Sequence, residues 1–242
     1  MSDYENVTNQ SVPPMVLFSG GNDSVLTVAR MIDIYDTVHI VTFDTGCIQN
    51  IHDRQFGKNY ISQAYGERVI DDDIKNIYGI WQVLMRAIQD MSFTELYESY
   101  RAMSVSQTIA LVNRVAMVSA AGILCFKRGI TKLVVGDKMG DVMAFQQKNT
   151  NELVKDMMDR IFGIEYETPI WELRDEFEVK SELMLRGIPH KTISPECIIG
   201  GRSMSDVPDV AHVADGDCAG MFSNVLYPIV ERMKDTWSKV LN

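Results

Sequence analysis

Met15-Val-Leu-Phe-Ser-Gly-Gly-Asn-Asp-Ser-Val25 is the stretch of sequence that decides the fold. A short apolar run ends in two glycines, and residues 24–35 then repeat apolar side chains with helical spacing, so the pattern predicts strand, tight turn and helix. Two successive glycines let the backbone take positive φ and approach a ligand closely. Free amides of Asp23, Ser24 and Val25 at the helix start would meet an anion there, at the positive end of the helix dipole.

This turn belongs to neither of the two commonest glycine-rich phosphate motifs. It lacks the Lys-Ser/Thr of a Walker loop and the third glycine of a dinucleotide fingerprint. Ser19 and Ser24 add hydroxyl donors on either side of the glycines. Asp23 is anionic and cannot bind phosphate by itself, so it predicts either a Mg²⁺ ligand that bridges to phosphate oxygens or a cap of the following helix.

Further strands alternate with helices along the chain. Residues 38–43 form a nearly continuous β-branched run, as expected for a parallel strand that is buried on both faces. Residues 67–70 and 132–136 predict two more strands, whereas residues 73–107 predict a helix-rich insertion and residues 109–126 an apolar helix that packs on the sheet. The order predicts an α/β fold, a Rossmann-like parallel sheet with helices on both faces.

Three segments follow from this pattern. Residues 1–13 are polar and predict a disordered tail. Residues 14–195 predict the α/β domain, and residues 196–242 predict a C-terminal loop and helix appendage that belongs to the same unit. The chain of 242 residues, 46% of them hydrophobic, is long enough to bury a full core without disulfides or a metal.

Charge and composition restrict the partners. The net charge is −10 and no run of Lys or Arg occurs, which argues against direct binding of nucleic acid and favours a small-molecule substrate. No apolar stretch is long enough to suggest a membrane span, and the polar, acidic N-terminus does not resemble a secretory signal. The four cysteines lie far apart and predict reduced thiols in a cytoplasmic protein.

Three polar loops follow predicted strands at their carboxyl ends. They comprise residues 19–24, residues 44–46 and residues 136–141. In an open parallel sheet, ligands bind beyond the carboxyl ends of the strands. The coincidence of the three loops therefore predicts one nucleotide-sized site.

The residues of these loops resemble a known superfamily. SGGNDS is similar to the SGGxDS pyrophosphate loop of the PP-loop (N-type) ATP pyrophosphatases, whose members split ATP between the α and β phosphates to adenylate a carboxylate, a carbonyl or a tRNA base. Within that superfamily the stretch from Met15 to Val230 is most similar to the QueC family of 7-cyano-7-deazaguanine synthases. The matching segments, in order, are VTFDTG at 41–46, Asn113-Arg114 before an apolar helix, Gly136 with Asp141, and ETPI at 167–170.

The resemblance implies an adenine nucleotide alpha hydrolase-like fold and an ATP-dependent ligase that uses Mg²⁺. The carboxylate of 7-carboxy-7-deazaguanine would be adenylated and then attacked by ammonia, which gives the 7-amido or 7-cyano product for queuosine synthesis or DNA modification. Members of the family are commonly homodimers. By the resemblance, the catalytic residues are Ser19, Asp23 and Ser24; ATP contacts Ser19, Gly20, Gly21, Asn22, Asp23, Ser24, Phe43, Asp44 and Gly136; and the substrate contacts Asn113, Arg114 and Asp141.

The chain departs from the family at two places. Where the family has a lysine after its TPL motif, this sequence has Asp175, with Arg174 next to it. The family binds zinc through four cysteines, of which only Cys197 and Cys218 remain here, although His212 and Asp217 lie nearby in sequence. Because a structural zinc site needs four strong ligands, zinc is not expected, and the two cysteines are weak candidates only.

These departures leave two alternative functions open. Asp44-Thr45-Gly46 is as similar to the DTG of phosphoadenylylsulfate (PAPS) reductases as to the QueC motif. A thiolation or sulfur-transfer enzyme using Cys47 or Cys197 is therefore one alternative. A nucleotide-binding protein that has lost catalysis is the other.

Overall fold

Five parallel strands form the centre of the protein. The computed structural model describes residues 12–47, 52, 54–100, 103–139, 146–190 and 210–241, with only the backbone described at residues 93 and 210–215. The sheet has the order β3-β2-β1-β4-β5, and every neighbouring pair is parallel. The strands are β1 (Met15–Leu17), β2 (Val38–Asp44), β3 (Val69–Asn76), β4 (Lys132–Val134) and β5 (Glu165–Glu167).

Helices cover both faces of the sheet and confirm the predicted α/β architecture. A 3₁₀ turn lies at Gly66–Arg68, and π-helical turns occupy Met158–Phe162 and Phe222–Leu226. The α-helices are α1 (Asn22–Ile32), α2 (Arg54–Tyr65), α3 (Tyr78–Gln89), α4 (Phe93–Tyr100), α5 (Val105–Arg128), α6 (Lys148–Met157), α7 (Glu176–Leu185), α8 (Val210–Met221) and α9 (Tyr227–Val240).

Two hydrophobic clusters lie on opposite faces of the sheet. One joins the strands to α1, α2 and α7, and it includes Phe18, Leu26, Ile40, Ile61 and Leu183. The other joins the strands to α3, α5 and the C-terminal helices, and it includes Phe43, Leu84, Leu111, Phe222 and Val230. Burial of these side chains supplies the main driving force for folding, and the C-terminal helices contribute directly to it.

Most residues of helix α5 are buried. A capping box of Ser104 and Gln107 begins it, and Gly129 ends it with a φ of 67°. Contrary to the expectation from sequence, α5 is long and apolar enough to cross a membrane by length and composition. However, 83% of its most apolar 18-residue window is buried inside the protein, as in a core helix of a globular fold.

The two outer strands differ from the sequence prediction. Strand β3 begins at Val69 and runs on to Asn76, through the acidic triplet 71–73 that the hydrophobic pattern placed outside it. The pattern failed because neighbouring side chains compensate the acidic charges. Arg54 and Lys58 pair with Asp71, Arg128 pairs with Asp72, and His39 Nδ1 lies 3.0 Å from Asp72 Oδ2. Strand β5 was not predicted, since it is a three-residue edge strand with a glutamate at each end.

These ion pairs predict a loss of stability in acid. Burial of Asp72 raises the pKa of its carboxyl, but hydrogen bonds from His39 and Arg128 outweigh burial, so the pKa is lowered in the folded state. The same balance lowers the pKa of Asp71, where Lys58 and Arg54 outweigh burial. A carboxyl with a lowered folded-state pKa stabilises the protein above its unfolded-state pKa of about 3.9, and this stabilisation is lost as the pH falls through the folded-state pKa.

We therefore expect the melting temperature to fall as the pH decreases from about 4. Asp72→Asn should reduce the steepness of that fall, because it removes one of the carboxyls whose pKa is lowered in the folded state. Calorimetric melts of both proteins between neutral and acidic pH measure the effect. Parallel curves for the two proteins would contradict a contribution from Asp72.

Candidate functional site

The candidate phosphate loop, residues 19–24, lies at the centre of the sheet's carboxyl edge. Strand β1 has β2 on one side and β4 on the other. The chain leaves β1 toward α1 on one face, and it reaches β4 from α5 on the other face. This reversal of strand order is the topological switch point at which open α/β sheets bind ligands. The loop after β1 and the loop after β4 therefore meet in one crevice.

Hydrogen bonds within the loop hold its shape. The amide of Gly20 donates to Ser24 Oγ at 3.1 Å, and the amide of Gly21 donates to Ser19 Oγ at 3.2 Å. Ser24 Oγ donates to the carbonyl of Gly21 at 2.9 Å and lies 3.2 Å from Ser19 Oγ. The predicted hydroxyl donors therefore organise the loop itself, and Ser24 is buried whereas Ser19 is exposed.

The helix after the loop begins two residues earlier than the sequence predicted. Gly21 is the N-cap residue of α1, and no side chain caps the helix. Val25 already donates its amide to the carbonyl of Gly21 at 3.0 Å, so it is not one of the free amides that the sequence suggested. The amides of the first helical turn are those of Asn22, Asp23 and Ser24, and this uncapped turn is the part of α1 suited to an anion.

Two backbone segments make an unusually close contact behind the loop. Gly20 has a φ of +79°, and a Cβ built there would lie 2.3 Å from the Cα of Arg54. On the facing helix α2, a Cβ at Gly57 would lie 2.4 Å from the carbonyl oxygen of Gly20 and 2.7 Å from its Cα. A glycine is therefore needed both at position 20 in the loop and at position 57 in the facing helix. The requirement at Gly57 was not predicted from the sequence.

An ion pair joins the two loops of the crevice. Lys138 Nζ donates to Asp23 Oδ2 at 2.9 Å, and only 7% of the Lys138 side chain is exposed. Asp23 does not cap α1, so the capping interpretation of this residue is wrong. Sequence reasoning included Lys138 in the polar loop 136–141 but did not select it. Its position two residues after a predicted strand was the signal that could have identified it.

The loop after β4 packs directly against the phosphate-loop candidate. A Cβ at Gly136 would lie 2.8 Å from Thr27 Oγ1 and 3.0 Å from the carbonyl oxygen of Asp23, so a larger residue would push the two loops apart. The next residue, Asp137, is buried and accepts a hydrogen bond from Arg114 at 2.6 Å. The structure thus brings Gly136 to the crevice, as the sequence predicted.

The α5 residues proposed for substrate contact are Asn113 and Arg114, and the structure shows a partner of Arg114. Arg114 binds Asp137, and Tyr166 donates its hydroxyl to the other Asp137 oxygen at 3.4 Å. Burial of the Tyr166 hydroxyl raises its pKa, and the neighbouring Asp137 carboxylate raises it further. Arg114 therefore positions the loop that carries Lys138. Asn113 is buried on the same helix, only 5% exposed.

The end of β2 forms the third side of the crevice. Phe43 is buried in the hydrophobic core, so only its backbone is available to a nucleotide. Asp44 accepts the amide of Gly46 at 2.7 Å, and Gly46 has a φ of +77°. The side chain of Tyr78 closes on Gly46, since a Cβ there would lie 2.9 Å from the ring. Cys47 follows as a partly buried cysteine.

Helix α7 packs on the same face of the sheet as α1 and approaches the loop from that face. Asn22 donates its side-chain Nδ2 to Glu176 Oε1 at 2.6 Å, and Lys180 Nζ lies 3.4 Å from the same oxygen. Asp175, at the position where the family has a lysine, accepts the amide of Glu178 at 2.9 Å as the N-cap of α7. Arg174 is exposed. The cation of α7 that the structure brings nearest to the loop is Lys180.

Two residues named from the sequence, Asp141 and Cys197, lie outside the described residues. Cys218 is completely buried, in the same hydrophobic cluster as Met221 and Phe222. Within the described ranges, no group of three or more His, Cys, Asp or Glu residues could hold a metal ion.

Comparisons with known proteins support the fold. No protein-family model matches the sequence, and no curated protein matches it at a significant level. The U34-tRNA thiolase NcsA from Methanococcus maripaludis, solved with its 4Fe–4S cluster, has a TM-score of 0.53 and 14% identity over 98% of this chain and 74% of its own. A 4-thiouridine synthetase in complex with RNA and ATP has a TM-score of 0.50 and 12% identity over 93% of this chain and 53% of its own.

The chain shares the fold of these two enzymes. This confirms the predicted Rossmann-like α/β fold with its C-terminal helices. At these identities the likeness concerns the fold alone, and the narrower resemblance to the QueC family stays a prediction.

Proposed function

We propose that the protein is an ATP-dependent enzyme that adenylates a carboxylate and releases pyrophosphate, with 7-carboxy-7-deazaguanine as the acyl substrate and ammonia as the amine. The observation that carries the proposal is the loop 19–24, which lies at the topological switch point of the sheet. Internal hydrogen bonds hold its shape, and Lys138 from the loop after β4 binds its Asp23. One protein of the same fold was solved with ATP bound.

The first step transfers AMP to the substrate. A carboxylate oxygen attacks the α phosphorus, the bond from that phosphorus to the α,β-bridging oxygen breaks, and pyrophosphate leaves with the electron pair. The first-turn amides of α1 and the Lys138 ammonium stabilise the negative charge of the leaving group. Such electrostatic stabilisation is the main contribution of proteins to phosphoryl and nucleotidyl transfer.

The second step forms the C–N bond. Ammonia attacks the acyl carbon, AMP leaves, and loss of a proton gives the amide. A second ATP can activate the amide oxygen in the same way, and loss of AMP and two protons then gives the nitrile. Both rounds need the same loop, because both release pyrophosphate from the α phosphorus.

Asp23 fits the role of a Mg²⁺ ligand. In ATP sites Mg²⁺ takes one or two carboxylates together with phosphate oxygens, so a single carboxylate next to the first-turn amides is sufficient. When bound, the ion neutralises phosphate charge. Lys138 holds the Asp23 carboxylate at this position.

A sulfur-transfer reaction is the second candidate. The observation that favours it is Cys47, a cysteine three residues beyond the end of β2 and therefore at the carboxyl edge that carries the loop. The two proteins of the same fold are a tRNA thiolase and a 4-thiouridine synthetase, the second of them bound to RNA. In this reaction a tRNA base would be adenylated in place of the carboxylate.

Pyrophosphate release tests the proposal. The purified protein is assayed with ATP and Mg²⁺ alone, with added 7-carboxy-7-deazaguanine and ammonium, and with added tRNA and sulfide. Stimulation by the deazaguanine and a product of amide or nitrile mass support the first function. Stimulation only by tRNA and sulfide, with loss in Cys47→Ser, would replace it by the second. ATP binding without turnover under all conditions would show a nucleotide-binding protein without catalysis.

The purified protein should contain well under one zinc per chain. Cys218 is buried among apolar side chains, and the two remaining cluster positions of the family are occupied by Met221 and Asn224. A closed structural site needs four ligands. Elemental analysis after dialysis without chelator measures the content. One zinc per chain, lost in Cys197→Ser, would contradict this prediction.

A further inference from the structure

Helix α3 begins with two aromatic side chains at the carboxyl edge of the sheet. The rings of Tyr78 and Trp81 stack, with their centroids 5.8 Å apart and an angle of 19° between their planes. Trp81 packs against the hydrophobic core, whereas 43% of Tyr78 is exposed. The pair therefore presents a flat aromatic surface to solvent that is supported from behind by a ring anchored in the core.

Contacts with the ends of β2 and β3 hold Tyr78 in place. Its amide donates to Asn76 Oδ1 at 3.1 Å, and the amide of Ile77 donates to the carbonyl of Asp44 at 2.8 Å. The edge of the Tyr78 ring lies against Gly46, where a Cβ would be 2.9 Å from Cδ2 of the ring. A side chain at position 46 would displace the ring, so the glycine there is needed for the position of Tyr78.

The order of the strands places Tyr78 in line with the phosphate loop. Residues 19–24 follow β1, Gly46 follows β2 and Tyr78 follows β3, and these strands are successive neighbours in the sheet. Neighbouring strands lie about 4.8 Å apart, so the ends of β1 and β3 are separated by about 10 Å. This separation is comparable to the distance between the phosphates and the base of one nucleotide.

The loop after β4 occupies the opposite side of the phosphate loop. A Cβ at Gly136 would lie 2.8 Å from Thr27 Oγ1, and Lys138 binds Asp23. A nucleotide whose phosphates lie on residues 19–24 therefore extends in the other direction, over the end of β2 and toward β3.

We propose that Tyr78, supported by Trp81, stacks on the base of the bound ATP. The inference rests on the proposed function and names the residue that holds the far end of the nucleotide. Stacking on an aromatic side chain contributes to affinity for any base, because every base has a π face. The loop 19–24 and Lys138 then hold the phosphates, and Tyr78 holds the base.

Calorimetric titration with the α,β-methylene analogue of ATP tests the stacking residue. The analogue cannot release pyrophosphate, so the titration measures binding without turnover. Tyr78→Leu should weaken binding by about 5–150-fold, because it removes the ring that stacks on the base. Tyr78→Phe keeps the ring and should bind the analogue within about twofold of the wild-type protein.

Two controls separate stacking from a general disturbance of the site. Inorganic tripolyphosphate has phosphates but no base, so Tyr78→Leu should bind it as tightly as the wild-type protein does. Tyr97 is 62% exposed and belongs to α4, which packs against α8. Tyr97→Leu should therefore leave binding of both probes unchanged.

The outcomes also separate the stacking residue from the proposed function. Unchanged binding of the analogue by Tyr78→Leu, or equal weakening of analogue and tripolyphosphate binding, would overturn the role of Tyr78. If the analogue binds through Tyr78 but no acceptor stimulates pyrophosphate release, the proposed function fails and the stacking role stands. If pyrophosphate is released and Tyr78→Leu raises the KM of ATP with little change in kcat, both stand. No binding of the analogue by the wild-type protein would overturn both.

Discussion

Gly57→Ala is expected to lower pyrophosphate release by about 100-fold or more, although Gly57 lies 33 residues from the end of the phosphate loop. In most helices this change stabilises a protein by about 0.5–1 kcal/mol. Here the new Cβ would lie 2.4 Å from the carbonyl oxygen of Gly20 and 2.7 Å from its Cα. Backbone atoms cannot rotate away as a side chain can, so the loop must shift. Pyrophosphate release and the melting temperature of the same preparation measure the effect.

Helix α3 offers a matched control. Gly79 is also helical, is exposed, and has no atom within 4 Å of a Cβ built on it. Gly79→Ala should therefore raise the melting temperature slightly and leave pyrophosphate release unchanged. Full turnover by Gly57→Ala, with a raised melting temperature like that of Gly79→Ala, would show that the close contact is not required.

Lys138→Met is expected to reduce pyrophosphate release by about 10²–10³-fold, the usual loss when one stabilising donor is removed from a transition state. The substitution keeps the length of the side chain and removes the ammonium that lies 2.9 Å from Asp23. Steady-state assays at saturating ATP and Mg²⁺ measure it. The loss should appear mainly in kcat, because the charge of the leaving pyrophosphate develops in the transition state.

Two further variants distinguish this role from a structural one. Asp23→Asn/Lys138→Met should be little worse than the more damaged single variant, since groups that act as a unit give non-additive losses. Lys127→Met is the control, because Lys127 donates one hydrogen bond of 2.6 Å to the carbonyl of Leu241 on a different part of the fold. Turnover of Lys138→Met within about twofold of the control would rule out a role for the ammonium.

The sequence predicted the central architecture because the decisive signals are local. Apolar strand runs, helical spacing in α1 and α5, and the two glycines after β1 each act over a few residues. They placed the loop at the correct strand end and brought Gly136 to it. These local signals failed for β3, where the cations that compensate its acidic residues come from α2 and α5.

The finer parts of the site depend on contacts between distant segments. Lys138 reaches Asp23 across 115 residues of sequence, and Asn22 reaches Glu176 across 154. Neither partner can be chosen from composition or periodicity, because many lysines and glutamates would satisfy the same pattern. The ion pair between Arg114 and Asp137 was likewise not predicted, and the contact of Arg114 with substrate stays a prediction.

The backbone contact between Gly20 and Gly57 also limits how the phosphate loop can be transplanted. A six-residue SGGNDS segment grafted onto another parallel sheet would bring the positive φ of its first glycine but not the facing helix. In this protein that helix carries its own glycine and is anchored to β3 through Arg54 and Asp71. The smallest portable unit is therefore β1 to β3 with both connecting helices, and a design that moves only the loop should lose its geometry.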